Sequence, residues 1–178
     1  MAAPRIWREG REGRALTRPA AAYVAALQAE PAEDDVRWLA RSATGGDADH
    51  ARWELRYARR SLGLLVAQRD SLDDRTPSAI ARELTASLDR AGEVDAAKLD
   101  VAERQFNQRL RAYADALADR RSREPSAVRL GRSLFSFAGV GLTPAAPDLA
   151  RAGALLSEYL VEAGAALQRV FGTASLPD

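Results

Sequence analysis

DADHARWELRYARRSLGLLVAQRDSL, residues 47–72, is the stretch that decides the fold. Within it Ala51, Leu55, Ala58, Leu62, Leu65, Arg69 and Leu72 recur at alternating steps of four and three. That spacing draws a nearly straight stripe along a helix, of the kind that packs against another helix. Trp53, Tyr57 and Leu64 project to the opposite side when each residue turns the helix by about 100°. Arg52, Arg56 and Arg59 lie between the two sides. A helix that is apolar on two sides needs neighbours on both. The expectation is therefore a long central helix, starting near Asp47 or Asp49, inside a helical bundle.

Downstream, Asp73-Asp74-Arg75-Thr76-Pro77 breaks the chain, and Thr76 followed by Pro77 reads as an N-cap and first helical residue. The helix that follows carries Ile80, Leu84, Leu88 and Ala91 and ends near Gly92. The spacing predicts a further helix over 95–120, with Leu99, Ala102, Phe106, Leu110, Tyr113 and Leu117 as its stripe. Arg120 to Pro125 is a basic linker. A short helix over 126–138 has Leu130, Leu134 and Phe137 on one side and Val128 and Phe135 on another. Residues 133–147 carry no charge, and Gly139, Gly141, Pro144 and Pro147 make their second half a loop. The last helix runs from Pro147 or Asp148 to Phe171 along Leu149, Leu156, Ala163 and Val170.

Upstream, a helix from Pro19 to Ala29 presents Tyr23, Val24 and Leu27, and Pro19 suits its first position. The next starts near Pro31, with Glu33, Asp34 and Asp35 at its positive end, and stops before Thr44-Gly45-Gly46. Residues 1–17 read as a flexible basic arm. Arg5, Arg8, Arg11 and Arg14 recur every third residue, Gly10 and Gly13 oppose a helix, and an extended chain would align the arginines on one edge. The organisation expected is all-α: an arm over 1–17, one bundle of six or seven helices over 18–172, and a tail over 173–178.

Composition narrows the chemistry. The chain has 178 residues, no cysteine and a single histidine, His50; Lys98 is its only lysine. Disulfides, thiolate nucleophiles, Cys-ligated zinc and multi-histidine metal sites are excluded, and neither metal nor cofactor is expected. Formal net charge is +1, so no global field recruits nucleic acid. Net-positive stretches (1–30, 51–70, 101–132) alternate with net-negative ones (31–50, 71–100, 133–178), so opposite charges can meet when the chain folds back. The arginine and alanine bias fits a GC-rich bacterial genome. No run of 18 apolar residues is present, no membrane insertion is expected, and a cytoplasmic setting is the default.

Local constellations carry little catalytic signal. His50 with Asp47 and Glu54 reads as a helix start with acids at the positive end rather than a metal cage. Arg69 on the apolar stripe, beside Asp70, Asp73 and Asp74, reads as a candidate buried ion pair of Arg69 with Asp70 and Asp73. Gly139-Val140-Gly141 lacks the third glycine of a dinucleotide loop. Lys98 would be a Schiff-base lysine only if buried, and Asp95 and Asp100 beside it argue for a solvated face. Residues 76–85 echo the first helix of a helix-turn-helix, but no turn follows in register. With a candidate basic patch at Arg120, Arg121, Arg123, Arg129 and Arg132, that echo supports a nucleic-acid-binding regulator as an alternative. The leading expectation is a non-enzymatic interaction or scaffold protein that self-associates, or meets a protein partner, through Trp53, Tyr57, Leu64 and Phe135. A third is a bundle that holds an apolar ligand between helices, with the 126–138 helix and the uncharged loop as lid.

Overall fold

The structure is a computed structural model, and it describes residues 5–90, 96–119, 121–139 and 143–172. These form seven helices: α1 (Arg5–Leu27), α2 (Glu33–Ser42), α3 (Ala48–Asp70), α4 (Arg75–Arg90), α5 (Ala96–Ala118), α6 (Ser126–Ala138) and α7 (Ala146–Phe171). The fold is an all-α bundle, and among the described residues there is no strand. No helix there is long and apolar enough to cross a membrane.

Helix α3 begins just after Asp47, which caps it. Asp47 is extended, and its carboxylate accepts the His50 backbone N–H at 2.9 Å, satisfying one of the orphan donors of the first turn. From there α3 contacts each of the other six helices. Its first stripe, Ala51, Leu55, Ala58 and Leu62, is wholly buried in a core shared with α2, α5, α6 and α7. Each leucine so buried stabilises the fold by roughly 2 kcal/mol. The stripe fails at its far end. The Arg69 side chain is 66% exposed, α3 stops at Asp70, and Leu72 lies beyond the helix at 67% exposure. A second cluster gathers Leu64, Val66 and Ala67 of α3 with α1, α4 and the C-terminal half of α7.

The expected first helix was too short. Helix α1 starts at Arg5, and Pro19 sits inside it rather than at its start, so the backbone from Arg5 onward is helical instead of extended. A proline there removes one backbone bond and costs roughly 3 kcal/mol. The burial of Ala20, Tyr23, Val24 and Leu27 in the second cluster offsets that cost. Tyr23 also donates its hydroxyl hydrogen to the Gly63 carbonyl at 2.8 Å, tying α1 to the middle of α3. The start of α4 differs too. Asp73, not Thr76, is the cap: its carboxylate accepts the backbone N–H groups of Arg75 and Thr76, each at 2.7 Å, and the Thr76 hydroxyl at 3.1 Å.

Helix α6 matches its expected bounds, and α7 closes tightly on it. A Cβ on Gly131 would lie 2.9 Å from the Leu149 carbonyl oxygen, and one on Gly153 2.6 Å from that of Ala127. Only glycine allows so close an approach of two backbones. Net-positive and net-negative stretches meet where Arg52 pairs with Glu33 and Asp49 and Arg59 with Glu162, while Arg56 pairs with Glu30 inside the net-positive 1–30 stretch.

Candidate functional site

The second face of α3 meets α5. Glu54 is 2% exposed and Arg109 7% exposed, and they form a buried ion pair. Arg109 Nε donates to Glu54 Oε2 at 2.8 Å, Nη2 donates to Oε1, and Nη1 donates to the Gln105 carbonyl at 2.9 Å. Its guanidinium also stacks on Tyr57 at 4.8 Å and on Phe137 at 4.6 Å. Only the planar, delocalised arginine head can make a bidentate pair and two ring contacts together. The ion pair read from the sequence is therefore misplaced. Arg69 and Asp70 do bond, at 2.5 and 2.7 Å, but at the surface, and Asp73 is occupied in capping α4.

Helices α3 and α5 contribute to two depressions, and the pair lines one of them. The outer one is an open groove of about 350 Å³ between α3 and α5, with Glu54 and Arg109 in its lining. Its walls include His50, Trp53 and Tyr57 from α3 and Lys98, Val101 and Gln105 from α5. Trp53 is fixed there, with its ring centre 5.9 Å from that of Tyr57 and 5.1 Å from the Arg56 guanidinium. His50 Nε2 reaches to 3.4 Å from Glu54 Oε1. Burial pushes the Tyr57 hydroxyl above the ordinary phenol range, with Arg109 opposing the shift.

The inner depression is a cavity of about 270 Å³ between α3, α4 and α5. It exists because α4 packs chiefly on α1 and α3 and meets α5 along a short seam. Leu64, Ala81, Leu84, Phe106 and Leu110 supply its apolar surface. Gln68, Thr85 and Asn107 are exposed residues on its lining and so stand at its mouth; Arg60 and Glu103 also line it. The expected lid is not here: among the described residues none of α6 or of the loop after it lines this cavity, and 140–142 of that loop lie outside the described residues.

The remaining residues singled out from the sequence are placed as follows. Phe135 is 1% exposed and packs edge-on against Trp38, with ring centres 6.0 Å apart. Leu64 is 4% and Tyr57 5% exposed, and only Trp53 of that set is half-buried. The chain therefore covers its own second apolar face, and the spare surface expected of Tyr57, Leu64 and Phe135 is not spare. Of the basic patch, Arg120 lies outside the described residues. Arg129 donates to the carbonyls of Ala116 and Glu124, and Arg132 pairs with Glu124 at 2.7 Å, so both hold the α5–α6 connection. Arg121 and Arg123 are exposed. Among the described residues no three His, Asp or Glu side chains are grouped to hold a metal ion. Sequence reasoning missed Asp148, which accepts from Trp38 Nε1 at 2.9 Å and Ser42 Oγ at 3.1 Å and clamps α2 to α7. No protein-family model, curated protein or solved structure matches the chain.

Proposed function

We propose that this protein is a ligand-binding helical bundle, which takes a small, mostly apolar molecule into the cavity between α3, α4 and α5. The observation that carries the reading is the cavity itself. Its volume of about 270 Å³ is at the small end of ligand sites, its surface is mostly aliphatic and aromatic with Arg60 and Glu103 added, and Gln68, Thr85 and Asn107 stand at its mouth. Such a lining takes up an apolar body through burial and orients it by one polar end. Self-association, first expected from the aromatic face of α3, has less support, because the single chain buries three of the four residues named for it.

Titration with the neutral fluorophore N-phenyl-1-naphthylamine tests the reading. The expected result is saturable enhancement of its emission, lost in Ala81→Phe, which fills the cavity, while the circular dichroism of that variant stays native. Equal emission from both proteins, or no saturable signal from the wild type, overturns it. Sedimentation of the same samples reads self-association: a monomer throughout leaves ligand binding alone, and a dimer restores the interaction reading.

A further inference from the structure

The outer groove differs from the inner cavity in the charge it presents. Its lining holds the only lysine and the only histidine of a chain whose other cationic side chains are all arginine. One carboxylate, Glu54, lines it, and that carboxylate is spent: both oxygens accept from Arg109, with His50 beside them. Arg109 is spent in turn on Glu54 and on the Gln105 carbonyl. The charge left for a visitor is that of Lys98, which is exposed, with His50 at the rim, 43% exposed. Beside them stands a fixed aromatic wall. Trp53 is held by Arg56 and Tyr57, and Val101 opens 42% of its surface to the groove side of α5.

We propose that this groove is a second binding site, independent of the inner cavity, and that it takes a planar aromatic anion such as an aromatic carboxylate. The ring of the ligand lies against Trp53 and Val101, its carboxylate meets Lys98, and the Gln105 amide gives it a hydrogen-bonding partner. The buried Glu54–Arg109 pair acts as a neutral, rigid floor. It costs the ligand no repulsion, because its negative charge is matched within the protein. An open groove with one lysine predicts modest affinity that weakens with salt.

The test is calorimetric titration of the full chain with 2-naphthoate, with 2-naphthylmethylammonium as the charge-reversed control. Binding of the anion is expected in the submillimolar range, with no detectable binding of the cation. Lys98→Glu should weaken naphthoate about fivefold or more, Lys98→Arg should keep it, and Trp53→Leu should weaken it. Lys98 is exposed, so its variants report binding and not folding. Ala81→Phe should leave naphthoate binding unchanged, which separates this site from the inner cavity. Equal binding of anion and cation, indifference to Lys98→Glu, or loss in Ala81→Phe would each overturn the proposal.

Discussion

Two glycines of one helix give opposite expectations for the same substitution. Both Gly153 and Gly164 lie in α7, and alanine is favoured over glycine in a helix interior by about 1 kcal/mol. At Gly164 nothing lies within 4 Å of an added Cβ, so Gly164→Ala should stabilise the fold by roughly 0.5–1 kcal/mol. At Gly153 the added Cβ would meet the backbone of α6: the Ala127 carbonyl oxygen at 2.6 Å and its carbon at 2.9 Å. A carbon and a carbonyl oxygen settle near 3.3 Å, so the helices must part by about 0.7 Å. A gap of that size gives up roughly a quarter to a half of the dispersion attraction across the seam. Leu130, Leu134 and Phe135 of α6 lie buried in the core that α7 shares. Overpacking of this kind costs about 1–3 kcal/mol. Set against the propensity gain, Gly153→Ala should lose about 1 kcal/mol, a drop of about 0.5 M in the urea midpoint. Urea titrations followed by far-ultraviolet circular dichroism read both variants. A Gly153→Ala protein as stable as wild type, alongside a normal Gly164→Ala, would refute the account of how α6 and α7 approach.

Three further outcomes follow from the polar groups. Glu54→Gln should cost about 3 kcal/mol or more, since it leaves the Arg109 charge buried without its partner, whereas Arg69→Ala at the surface should cost under about 1 kcal/mol; thermal midpoints of the two variants compare them. Asp73→Ala should cost about 1 kcal/mol at neutral pH. The backbone hydrogen bond from Thr76 holds the Asp73 carboxyl below the usual range, so the cap contributes above that range and is lost as pH falls through the lowered value. The difference between wild type and variant should therefore vanish in acid melts. All four tyrosines have their hydroxyls pushed up, chiefly by burial, with Tyr159 at about 12. Their burial supports the fold fully below the ordinary phenol range near pH 10 and stops doing so as pH rises through the raised values. Absorbance at 295 nm should show no phenolate by about pH 10 while the circular dichroism is native, and one equivalent appearing there would contradict the burial.

What was legible in the sequence was whatever local spacing determines. Pro125 and Gly139 bracket α6, so its bounds could be read directly. The two-sidedness of α3 was equally plain from Leu55 and Leu62 against Tyr57 and Leu64. Which helix covers the second side was not, because that depends on how the chain turns back, and spacing along one helix carries no such information. For the same reason leftover apolar side chains read as an interface when they were walls of an internal seam. Arg109 is buried with Ala102, Tyr113 and Ala116 among the described side chains of α5, and an arginine in such company demands an acid opposite. The apolar spacing through Leu99 and Leu110 does not include it. In α1 the local signals placed the helix start at Pro19 and opposed a helix through Gly10 and Gly13, whereas the helix starts at Arg5 and runs through all three.

The two apolar clusters give the molecule two thermodynamic halves. One holds the N-terminal parts of α3 and α7 with α2, α5 and α6, and the other holds their C-terminal parts with α1 and α4. Helices α1 and α4 pack on each other and contribute no residue to the first cluster, so we expect them to open together, as a leaf, while that first cluster stays folded. Amide exchange should then divide along α3, with slow exchange governed by global unfolding around Leu55 to Leu62 and faster, sub-global exchange throughout α4. Lifting that leaf uncovers Leu64 and separates Leu84 from Phe106. Under the proposed ligand-binding function, such opening would widen the way in beyond the cavity's mouth, and the rate of ligand entry would then report how often α4 lets go.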